Sequence, residues 1–149
     1  MIKISKYLNP DLVLFLEAQG RDEVLDTMIN RLSTQSKLTD VQTFRHAIME
    51  REKIVSTGIG MGIAIPHAKL PEYDDFFIAI AVLQKGVEWH ALDGAPVRLI
   101  FMIGGPDDKQ TDYLQILSSL TVALKDEERR KKILMMTSPE AIIELFKTV

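Results

Sequence analysis

Phe76 to Leu83 is an unbroken run of eight apolar residues, with no polar side to present to water. It is far short of the roughly 20 residues that a membrane-spanning helix needs, so it predicts a central β-strand covered on both faces. Leu12 to Leu16 is a shorter run of the same kind and reads as a second strand buried on both faces. Val97 to Ile103 reads as a third, stopped by Gly104-Gly105-Pro106. Val87 to Trp89 reads as a short edge strand leading to a turn at Asp93-Gly94.

Around these runs the apolar period changes from strand to helix. Val24, Leu25, Met28, Ile29 and Leu32 recur at helical spacing. Thr39 and Asp40 offer an N-cap for a second helix through Val41, Phe44, Ile48 and Arg51. After the strands, Leu114, Leu117, Leu120 and Leu124 are expected to share one helix face. Asp126 caps a charged stretch ending at Ile133-Leu134-Met135. Ser138-Pro139 then supplies an N-cap and a first-turn proline for a last helix through Ile142, Ile143, Leu145 and Phe146. Helices stand before the strands and in a block after them, with too few βαβ units for a purely parallel sheet. The expectation is one α/β domain over residues 1–149, a mixed sheet sandwiched between helices.

Composition narrows the function classes. The chain has 18 basic and 21 acidic side chains, a formal charge of -3, which argues against a nucleic-acid footprint built on surplus Lys and Arg. It has no cysteine, which excludes a disulfide framework, a thiolate nucleophile and sulfur-ligated metal. Lys3 and Lys6 precede only five consecutive apolar residues, behind Pro10 and Asp11, shorter than a secretory signal's apolar stretch. A soluble, cytoplasmic chain with no membrane contact is expected.

The densest chemical signal is Ser56-Thr57-Gly58-Ile59-Gly60-Met61-Gly62-Ile63-Ala64-Ile65-Pro66-His67, which reads as a loop passing into a short apolar strand. Gly58, Gly60 and Gly62 permit close backbone approach or positive φ, and Pro66 fixes the backbone just before the histidine. Neither a Gly-Lys-Ser/Thr nor a GxGxxG nucleotide loop is present. A neutral imidazole is a nucleophile able to carry a covalent group, whereas the same histidine also fits a hydrogen-bonded strand end. For phosphoryl transfer, Arg51, Ser56, Thr57 and the N–H groups of Gly58, Gly60 and Gly62 would supply cation and donors. Arg51 reads equally well as a solvated charge at a helix end. His46, His67 and His90 match no short metal-ligand spacing, and no GxSxG nucleophile elbow exists, so no metal and no cofactor are expected.

The string Arg51-Glu52-Lys53-x2-Ser56-Thr57-Gly58-Ile59-Gly60-x-Gly62-Ile63-Ala64-Ile65-Pro66-His67 resembles the signature of phosphotransferase-system IIA domains of the fructose/mannitol type, especially the nitrogen-related regulatory branch. The likeness continues through Trp89-x3-Asp93-Gly94-x-Pro96-Val97 and the Gln110-to-Leu124 segment. It implies a three-layer α/β/α fold with a small mixed sheet. It also implies phosphorylation of His67 by a histidine-containing phosphocarrier protein, with Arg51 holding the phosphoryl oxygens. A IIB domain or regulatory protein targets would be the onward partners. Such a chain is a phosphotransferase-system component rather than a stand-alone enzyme.

One position departs from the family's pattern. Where a second active-site histidine precedes a leucine, this chain has Tyr113-Leu114. A phenol donates only a neutral hydrogen bond, whereas a protonated imidazole also brings charge. Two expectations follow: a regulatory phosphocarrier with Tyr113 as substitute donor, or a regulatory binding module whose transfer is impaired or lost. An unrelated metal or hydrolytic function stands as a third.

Overall fold

A computed structural model describes residues 2–148 of the chain. Its sheet has the order β1 (Val13–Leu16), β5 (Phe77–Val87), β6 (Val97–Gly105), β3 (Ile63–Ala64), β2 (Gly58–Gly60), and β4 (His67–Lys69) continues beside β6 beyond β3. β1 runs parallel to β5, β5 antiparallel to β6, and both β3 and β4 run parallel to β6. The mixed sheet expected from the element order is therefore present.

Helices α1 (Arg21–Thr34) and α2 (Val41–Ile54) cover one face, and α3 (Gln110–Lys125), α4 (Glu127–Met135) and α5 (Pro139–Glu144) cover the other. Alternation along the two long strands decides which core each helix meets. Ala79, Ala81 and Leu83 of β5 join Ile100 and Met102 of β6 under α1 and α2. Ile78, Ile80 and Val82 join Leu99, Phe101 and Ile103 under the later helices. The alanines on the first face let α1 bring Val24, Leu25, Met28, Ile29 and Leu32 down on the sheet. All five are buried, and each contributes about 1.5–3 kcal/mol on leaving water. The caps fall as read: Asp40 accepts from Thr43 N, Asp126 from Glu128 N, and Ser138 from Ala141 N. No helix among the described residues is long and apolar enough to cross a membrane.

Several details differ from the sequence reading. Leu12 lies in a 3₁₀ turn and β1 is an edge strand with Phe15 36% exposed, because only β5 pairs with it. Val87 ends β5 opposite Val97, while Trp89 lies outside any strand with its ring fully buried. β6 runs on through Gly104 and Gly105, because Phe77 and Phe76 lie where side chains on those residues would stand. On α3 the buried positions are Tyr113, Ile116, Leu120, Ala123 and Leu124, so the apolar stripe is rotated from the leucine spacing and Leu114 points outward. The segment before His67 is a hairpin of β2 and β3, turning at Gly60, Met61 and Gly62, all with positive φ.

That hairpin is tied to α2 by a buried polar knot. Glu52, in the last turn of α2 and 4% exposed, accepts from Thr57 N at 3.0 Å and from the Thr57 hydroxyl at 2.6 Å. Trp89 Nε1 donates to the same hydroxyl oxygen at 3.1 Å. Thr57 O in turn accepts from Ile65 N at 3.0 Å, which sets the strand leading into His67. Replacing Glu52 by alanine strands a buried N–H and hydroxyl, so a loss of roughly 1–3 kcal/mol is expected. Trp89→Phe removes a single donor and should cost less. Urea unfolding reads both as a lower midpoint at unchanged slope.

Candidate functional site

His67 opens β4 opposite Ile103, near the C-terminal end of β6. Pro66, which cannot donate, contributes its carbonyl to the sheet by accepting from Ile103 N at 2.9 Å. His67 Nδ1 lies 3.1 Å from the carbonyl oxygen of Ile65. A carbonyl only accepts, so Nδ1 must carry the proton in this contact, and in the neutral ring Nε2 keeps its lone pair. Burial is the main force pushing the His67 pKa below the usual imidazole value. The Ile65 carbonyl opposes that shift, Arg51 and Lys69 reinforce it by charge, and Glu52 opposes it. The ring is held toward its neutral form, with the Nε2 lone pair free.

Arg51 lies one residue before the buried Glu52 and is half-buried at the end of α2. Its Nη1 donates to Val55 O at 2.8 Å, which fixes the guanidinium while other N–H groups of the fork stay available. Its charge reaches both rings of the site, since it acts on the titration of His67 and of Tyr113. Tyr113, in the first turn of α3, is buried and its ring centroid stands 5.6 Å from that of His67. Burial raises the phenol's pKa, with Arg51 acting against it, and the hydroxyl makes no hydrogen bond among the described residues. Phe76 packs on the same ring at 6.3 Å between centroids. The structure thus brings His67, Arg51 and Tyr113 to one end of the sheet.

The expected loop donors are placed differently. The Ser56 hydroxyl donates to Trp89 O at 2.5 Å and accepts from Gly58 N at 3.0 Å. Both the N–H and the hydroxyl of Thr57 go to Glu52. Those groups build the frame behind His67 and are not free to meet an anion. Gly60 and Gly62 flank the hairpin tip, where Met61 N donates to Asp93 Oδ2 at 3.1 Å. Neighbouring Ile63 pairs with Leu99 while His67 pairs with Ile103, a separation of about 13 Å along β6 at 3.3 Å per residue. Gly60 and Gly62 are therefore turn residues remote from the imidazole, needed for their positive φ. His46 and His90 are exposed elsewhere, and no three His, Cys, Asp or Glu side chains converge among the described residues.

Two further residues, Glu52 and Lys69, belong to the site. Glu52 carries no role in the sequence reading, yet Phe44, Ile48 and Glu52 recur every four residues on the buried face of α2. A carboxylate on that stripe must find internal donors. Lys69, two residues beyond His67, brings its Nζ to 4.1 Å from the Tyr113 ring centroid and 2.7 Å from Gln110 Oε1. Its signal is the two-residue spacing, which puts it on the same side of β4 as His67.

Known proteins share this fold and a substantial part of this sequence. The chain is 39% identical over 145 residues to the fructose-specific EIIABC component of the phosphotransferase system from Bacillus subtilis, covering 97% of this chain but only 23% of that protein. It is 31% identical over 146 residues to a nitrogen regulatory protein of Pseudomonas aeruginosa, covering 97% of this chain and 95% of that one. The crystal structure of nitrogen regulatory protein IIA-Ntr from Neisseria meningitidis superposes with a TM-score of 0.89 at 25% identity, over 96% of this chain and 98% of that one. The sequence profile for the EIIA 2 family of the phosphoenolpyruvate-dependent sugar phosphotransferase system matches residues 6–149, and the chain belongs to that family.

Proposed function

We propose that the chain is a regulatory phosphocarrier that accepts a phosphoryl group on His67 from a histidine-containing phosphocarrier protein. The observation that carries this reading is the Nδ1 contact to Ile65 O, which leaves Nε2 as the nucleophile in a ring that resists protonation. In the transfer, the Nε2 lone pair attacks the phosphorus of the donor's phosphohistidine. A new N–P bond forms on His67 as the donor's N–P bond breaks, its electron pair returning to the donor ring. The donor ring carries a proton on its second nitrogen and leaves as neutral imidazole. His67 keeps the Nδ1 proton and becomes a phosphorylated imidazolium still bonded to Ile65 O. The role of Arg51 is to neutralise charge on the phosphoryl oxygens.

The regulatory half of the proposal rests on the likeness to nitrogen regulatory proteins over nearly their whole length. With the Nδ1 proton kept, phosphorylation would change the net charge at the mouth of the site by about -1, carried on new phosphoryl oxygens, and so alter which protein docks there. The likeness to a fructose-specific component supports a second reading, in which the phosphoryl group passes on to a IIB domain.

Incubation with phosphoenolpyruvate, enzyme I and the phosphocarrier should add one acid-labile phosphoryl group, mapped to His67 by peptide mass spectrometry and absent in His67→Ala. No addition, with the same charged donor active on another IIA domain, would leave a binding module that has lost the chemistry. Onward transfer to a fructose-type IIB domain would favour the second reading. The neutral ring is the reactive form and its pKa lies below the usual value of about 6.5, so the rate should stay level through neutral pH. It should fall only on acidification past that value, with a midpoint below that of free imidazole in a stopped-flow profile.

A further inference from the structure

A transferred phosphoryl group spreads negative charge over three oxygens, and the tyrosine standing where the family's pattern has its second histidine brings no positive charge to meet it. The charge is present, but on another element. Lys69 follows His67 by two residues on β4, so both side chains leave the strand on the same side. The Lys69 ammonium rests over the Tyr113 ring at 4.1 Å from its centroid. Gln110, the first residue of α3, accepts from it at 2.7 Å. Phe76 packs against the same ring and keeps it from turning away. Tyr113 therefore touches His67 with one part of its ring surface and the ammonium with another.

We propose that Lys69 is the second cation of the phosphoryl site, and that Tyr113 positions it through the ring face rather than serving as a hydroxyl donor. The inference rests on the carrier reading above and deepens it. An ammonium has several donors and Gln110 takes one, which leaves others to meet phosphoryl oxygens on Nε2 of His67. The cation–π contact is the attraction that a tyrosine provides and a second histidine, once protonated, would replace with repulsion. The charged groups that act on His67 are Arg51, Lys69 and Glu52. The two cations press the ring toward its neutral form, while the carboxylate favours the charged one.

Two measurements on the full chain test it. In single-turnover transfer from saturating charged phosphocarrier, Lys69→Met should slow the limiting rate roughly ten- to hundredfold, the worth of one charge-assisted bond. Lys69→Arg should recover part of it, and Tyr113→Leu should cost more than Tyr113→Phe. If Lys69→Met changes only the carrier concentration needed for half-maximal rate, Lys69 is a docking residue and the proposal is overturned. The second measurement needs no transfer: Lys69→Met should raise the His67 pKa in an NMR titration of the unphosphorylated protein, with chemical-shift dispersion confirming the fold. An unchanged His67 pKa would place the ammonium outside the site and overturn the proposal, whatever the fate of the carrier reading. Transfer failing in the unsubstituted protein while that titration moves would instead defeat the carrier reading alone.

Discussion

The carboxylate of Glu52 is the joint on which the rest of the site depends. An ionised carboxyl group taken out of water is costly unless it finds donors, and Glu52 finds both the N–H and the hydroxyl of Thr57. From there a single chain of hydrogen bonds leads to the His67 ring. Thr57 O holds Ile65 N, and Ile65 O holds His67 Nδ1. Because Arg51 is the residue before Glu52, the same anchor that sets the imidazole also fixes the end of α2 from which the guanidinium projects. Trp89 seals the knot by donating to the Thr57 hydroxyl from a fully buried ring. The Ser56 and Thr57 hydroxyls are thus spent one layer behind His67, where they hold the frame whose backbone carbonyl at Ile65 sets the tautomer of the ring.

The sheet supplies the second constraint. Short β3 and β4 occupy successive stretches of one side of β6, and the break between them falls at Ile65-Pro66. Proline suits this break because its missing N–H is not needed there while its carbonyl still pairs with Ile103. His67 consequently emerges near the carboxyl end of β6, the end of a strand where open α/β sheets place their ligands. The glycines that let β6 continue past that point serve packing. A side chain on Gly105 would displace Phe76, and Phe76 is what steadies Tyr113.

Much of the architecture was legible because its causes are local. The helical spacing of Val24 to Leu32, the caps at Asp40, Asp126 and Ser138, and the apolar run of β5 each follow from neighbours within a few residues. What escaped depends on distant partners. Gly104 and Gly105 look like a strand stop until Phe76 and Phe77 are seen to lie over them. Leu114 looks like a core residue until the sheet selects Tyr113 and Ile116 instead. At the site, His67 and Arg51 stand out through a long motif, but the roles of Ser56 and Thr57 invert once Glu52 is known to be buried among them. Gly60 and Gly62 share that motif for the shape of a turn about 13 Å away, so proximity in sequence misleads there.

A tyrosine at position 113 therefore does not by itself decide the electrostatic character of the site. An imidazole is charged chiefly below about pH 6.5 and offers that charge only when protonated, whereas an ammonium does so throughout the neutral range. Placing the cation on β4 rather than on α3 separates two jobs that one histidine would combine. The aromatic ring sets geometry, while the lysine brings its charge to the ring that Tyr113 also presents to His67. That charge also reinforces the desolvation that keeps His67 neutral. On the proposed transfer, the same ammonium that disfavours a second proton on the ring would favour a dianionic group there, so one residue would bias both the state before transfer and the state after it in the forward direction.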